Sequence, residues 1–92
     1  MKFDAIYKYP IGWDKADIEM PSGAQVLTAQ LNGDTLCLWA KVNTKNPPEK
    51  RRFVVATTGE GLPCVELEYG YGNFIATIQE SSGYVCHVFE LT

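Results

Sequence analysis

No apolar run in this chain approaches the length of a bilayer span, and its first residues, Met1-Lys2-Phe3-Asp4, lack the apolar centre of a signal peptide. Membrane insertion and export are therefore not expected, and the cytoplasm is the expected compartment. Histidine is nearly absent, with His87 the only one. Cysteine is scarce and odd in number: Cys37, Cys64 and Cys86 include no C-x-x-C pair, which argues against both a disulfide framework and a zinc site. A strong charge of either sign is missing too. Eleven acids against eight bases leave −3, too little for a nucleic-acid mimic and the wrong sign for duplex binding. Finally, no stretch carries a 3.6-residue apolar period over three turns, which excludes a helical bundle.

What is present is alternation. Val26 to Gln30 and Leu36 to Ala40 flank Leu31-Asn32-Gly33-Asp34, and Asn-Gly between alternating arms predicts a hairpin with a type I′ turn. Further strands are predicted at Phe3–Tyr9, Asp17–Met20, Arg52–Thr57, Asn73–Gln79 and Tyr84–Leu91, with Leu62–Leu67 as a short strand or extended edge. Thr44 to Lys50 contains Pro47 and Pro48 and reads as a loop. The strands around Leu38 and Val88 are apolar on both faces, so central positions are expected for them. The 92 residues suit one domain, 1–92. The expected fold is all-β, a compact six- to seven-stranded antiparallel sandwich or partly open barrel. Its open edges offer a route to a homo-oligomer.

Groups able to do chemistry do not converge. His87 could serve a nucleophile at Cys37 or Cys64, but Cys86 should point to the opposite strand face, and the simpler reading is a histidine packed at the sheet. Thr57-Thr58-Gly59-Glu60-Gly61 lacks the Lys and the helix of a phosphate loop. Glu66 and Glu68 would share one face of an extended segment and read as a solvated acidic edge. Lys45, Lys50, Arg51 and Arg52 form the densest basic cluster. Arginine beside an exposed ring could hold a phosphate while the ring stacks on a base, with Tyr7 and Tyr9 among the candidate rings. Tyr69-Gly70-Tyr71-Gly72 places amphipathic rings between glycines, as recognition loops do. No catalytic residue, metal or cofactor is expected.

Ile6-Tyr7-Lys8-Tyr9-Pro10, Pro21-Ser22-Gly23-Ala24, Cys37-Leu38-Trp39-Ala40 and His87-Val88-Phe89-Glu90 follow one another in the order that marks a family of small tailed-phage proteins of unknown function. The chain resembles that family over nearly its whole length. Glu49-Lys50-Arg51 before an apolar strand also fits it, whereas Phe3-Asp4-Ala5 and Ile11-Gly12-Trp13 depart from it. The resemblance implies phage origin and a small β-rich fold, so that the expected compartment becomes the host cytoplasm; it supplies no catalytic residues. Together with the missing catalytic constellation, it leads to the expectation of a non-enzymatic accessory protein that binds and blocks a host protein, such as a defence component. Trp13, Tyr69 and Tyr71 would be its anchors. The alternatives are an oligomeric sponge for a nucleotide signal, built on Lys50, Arg51, Arg52, Tyr7 and Tyr9, and a minor virion or assembly component. Neither duplex nucleic acid nor a membrane is an expected partner.

Overall fold

In the computed structural model, which describes residues 2–91, the strands are β1 (Ala5–Pro10), β2 (Lys15–Pro21), β3 (Gln25–Asn32), β4 (Thr35–Val42), β5 (Pro48–Thr57), β6 (Asn73–Gln79) and β7 (Val85–Leu91). One helical turn, α1 (Val65–Glu68), lies between β5 and β6. The strands form two antiparallel sheets, β1-β4-β3 and β2-β5-β7-β6, and so a sandwich rather than a closed barrel. β4 and β7 occupy interior positions of their sheets, as strands apolar on both faces must.

Alternation explains the core. Leu36, Leu38, Ala40 and Val42 of β4 meet Phe53 and Val55 of β5, Ala76 and Ile78 of β6, and Cys86 and Val88 of β7 between the sheets. The opposite face of the four-stranded sheet has a smaller cluster of its own. There Leu67 of α1 covers Val54 and Ala56, with Cys64, Phe89 and Leu91 packed around it. The two edge strands that approach each other, β3 and β6, are both irregular, with register shifts between Val26 and Thr28 and between Phe74 and Ala76. Such bulges blunt an edge against further pairing.

Three expectations need correction. The hairpin turn is centred on Gly33-Asp34, not on Asn32-Gly33. Asn32 pairs with Thr35, Gly33 has φ +65°, and no non-glycine residue has positive φ among those described. Positive φ at the first central position alone is the type II′ arrangement. The reason lies in the core: pairing Leu31 with Leu36 buries both arms' apolar faces, whereas an Asn-Gly centre would draw Leu31 into the turn. Second, Leu62–Leu67 is not a strand, because α1 occupies its end. Third, β5 starts at Pro48, within the expected loop. Pro48 faces Pro21 at the last rung of the β2–β5 ladder, where missing N–H groups cost little.

Candidate functional site

The tyrosine turn is built by α1. Gly70 N–H donates to the Leu67 carbonyl at 3.1 Å and Tyr71 N–H to that of Glu66 at 2.8 Å, while Gly70 has φ +84°. This pair of bonds with a left-handed glycine is the Schellman ending of a helix. Tyr69 and Tyr71 bracket that glycine and are 77% and 63% exposed. Leu67 pins the turn to the sheet from beneath. Gly72 lies so close that a Cβ there would come within 2.9 Å of Leu67 Cδ2. The backbone carrying the rings is thus fixed by hydrogen bonds and packing rather than adaptable. Leu62, Val65 and Phe74 are exposed on the same stretch of chain, and Phe74 stacks edge-on against Phe89 with ring centroids 5.8 Å apart. Leu67 is the residue that sequence reasoning missed; a glycine three positions after an apolar residue was its only local signal.

Trp13 sits elsewhere. It is 40% exposed and meets Tyr84 edge-on at 5.8 Å, and the Tyr84 hydroxyl is 2.9 Å from Thr57 Oγ1, at the C-terminal end of β5. Gly72 instead abuts Glu90 and Leu91, which pair with Phe53 and Arg52 in the middle of β5 and lie at the C-terminal end of β7. The three expected anchors therefore do not share one surface: Tyr69 and Tyr71 stay together, and Trp13 lies at the other end of the sandwich.

Within the basic cluster, Arg51 and Arg52 face opposite ways, as successive strand residues do, and each is held by a carboxylate of its own. Arg51 points inward, bound twice to Glu90 (Nε to Oε2 2.6 Å, Nη2 to Oε1 2.8 Å) and donating through Nη1 to the Ala24 carbonyl. Its hydrogen bonds to Glu90 hold the guanidinium even more firmly protonated than usual. Arg52 faces out and bonds Asp17 at 3.1 Å. An open cleft of about 320 Å³ is lined by these residues with Lys50, Glu66 and Leu91, so cations and carboxylates share it and no aromatic ring is among its lining residues. Tyr7 and Tyr9 belong to β1 in the other sheet, and Tyr9 packs against the core. One chain does not bring rings and arginines into one pocket.

His87 is held by hydroxyls. Its Nε2 is 2.7 Å from Thr58 Oγ1 and its Nδ1 2.9 Å from Thr77 Oγ1. Each threonine can donate or accept, so a neutral imidazole is satisfied in either tautomer. Cys86 lies on the opposite face, between the sheets, where burial pushes its thiol up from the ordinary value despite a hydrogen bond from Tyr84. Glu66 and Glu68 do not share a strand face, since both belong to α1; Glu66 lines the cleft and Glu68 is exposed. Among the described residues, no three His, Cys, Asp or Glu side chains gather as a metal site, and no helix is long and apolar enough to cross a membrane.

Fold and surface together define a small antiparallel β-sandwich whose two most exposed aromatic side chains, Tyr69 and Tyr71, sit on a hydrogen-bonded turn. The match that gives it a family covers residues 3–92: the chain belongs to the family of the domain of unknown function DUF7352. No curated protein and no solved structure matches it.

Proposed function

We propose that the protein is a non-enzymatic accessory protein of phage origin that binds and blocks a host protein in the host cytoplasm, with a component of anti-phage defence as the target class. The observation that carries this reading is the tyrosine turn. Tyr69 and Tyr71 present large amphipathic rings on a backbone already ordered by the Schellman bonds and by Leu67, so little entropy is lost on binding. Rings held in that way are the side chains that dominate interface energies.

Native mass spectrometry of the protein after incubation with bacterial lysate and a pool of cyclic nucleotides tests this. The expected result is a defined complex with one host protein that disappears in the Tyr69→Ala/Tyr71→Ala variant while circular dichroism stays unchanged. A host complex indifferent to that substitution would overturn the role of the turn. A nucleotide-sized increment on an oligomer, abolished by Arg51→Ala/Arg52→Ala, would replace this reading with that of a nucleotide sponge.

A further inference from the structure

The end of the sandwich opposite the tyrosine turn holds a second concave surface. The antiparallel topology brings four connections to that end, residues 11–14, 33–34, 58–64 and 80–84. Between them lies a recess of about 540 Å³ lined by Trp13, Leu31, Asp34, Gln79 and Glu80. That volume falls within the range of roughly 300–1,000 Å³ in which proteins hold ligands and anchoring side chains.

Its aromatic wall is fixed in place. Gly12 turns the chain with φ +73°, and the Asp14 carbonyl accepts the Val55 N–H at 2.8 Å, so both neighbours of Trp13 are constrained. Tyr84 braces the indole from one side and is itself tied to Thr57. The backbone that carries the acidic residues is also fixed. Asp34 sits in the two-residue hairpin turn, and the Glu80 backbone is bonded to Tyr84 and Gly83.

Charge selects the partner. The four connections at this end carry Asp14, Asp34, Glu60 and Glu80 and no lysine or arginine, whereas the connections 22–24, 43–47 and 69–72 at the other end carry Lys45 and no acid. A recess lined by an indole and two carboxylates complements a guanidinium. The planar cation stacks on the ring while its N–H groups donate to the carboxylates. We infer that this recess docks an arginine presented on an exposed segment of a partner protein. The surface is separate from Tyr69 and Tyr71, so it holds or fails independently of the reading above.

The test is a two-dimensional NMR titration of the intact protein with the blocked tripeptide Arg-Gly-Arg and with its citrulline analogue, which keeps the shape and loses the charge. The expected result is saturable movement of the Trp13 indole N–H and of the Gly33 and Ser81 amides, with the Trp39 indole still. Apparent affinity should fall about tenfold for the citrulline peptide, for Asp34→Asn/Glu80→Gln and for Trp13→Leu. Asp34 and Glu80 lie in turns, so the amide variant keeps the fold even if Trp13→Leu does not. An unmoved Trp13 indole would overturn the inference. So would equal binding of the citrulline peptide, or equal movement at Glu66 and Glu68, which would mean general attraction to acids.

Discussion

The Tyr9 hydroxyl is cut off from solvent and has no hydrogen-bond partner among the described residues. It has lost its hydration without replacement, which costs about 1–3 kcal/mol. Burial, reinforced by Tyr7, also pushes the phenol up from its ordinary value, so it stays protonated across the neutral range. Tyr9→Phe keeps the packed ring and removes only the unsatisfied group. It should therefore stabilise the protein by about 1 kcal/mol, read as a higher urea midpoint at unchanged slope. A lower midpoint would mean that the hydroxyl has a partner in solution. His87 is the contrasting case: the sequence reads it as a histidine packed at the sheet, and there threonines satisfy both of its nitrogens.

At the scale of elements, the least regular one sets the position of the tyrosines. Gly72 has φ +124°, a region that residues with a Cβ avoid, and the added methyl of Gly72→Ala would press on Leu67 Cδ2. The substitution should cost about 1–3 kcal/mol and speed hydrogen exchange at the Gly70 and Tyr71 amides, whose bonds depend on α1 staying seated. Unchanged exchange would show that the turn holds without Leu67 beneath it. The strands were legible because a period of two is visible within five or six residues, and β6 runs over Asn73–Gln79 as read. α1 was not, because four residues are too few to display a 3.6-residue period. The hairpin was legible but its turn type was not. The choice between Asn32-Gly33 and Gly33-Asp34 depends on whether Leu31 pairs with Leu36 or with Asp34 in the facing arm, which the packing of the arms decides and the turn itself does not.

For the molecule as a whole, the two sheets are tied together at the end that bears β5's first residues. There Asp4, just before β1, first closes the end of the three-stranded sheet itself: it accepts from the Thr44 N–H at 2.9 Å and from its hydroxyl at 2.7 Å, just beyond β4, and these bonds lower its pKa. Deeper in, Arg51 joins β7 through Glu90 to the start of β3 through the Ala24 carbonyl. The basic run could be seen in the sequence, but not that Arg51 turns inward and Arg52 outward. That depends on which strand face meets the core, and on Glu90 arriving thirty-nine positions later to neutralise the inward charge. The Arg51 and Glu90 side chains are only 17% and 13% exposed, so each relies on the other for the solvation that it has lost. Arg51→Ala should then destabilise by about 2–4 kcal/mol, because it leaves Glu90 without its counter-charge. Pairing it with Glu90→Gln should recover part of that loss, since no uncompensated charge remains. Urea unfolding of the two single variants and the double variant measures the coupling. If Arg51→Ala costs as much in the Glu90→Gln background as in the native chain, the ion pair contributes nothing, and Arg51 ties the sheets through the Ala24 carbonyl alone.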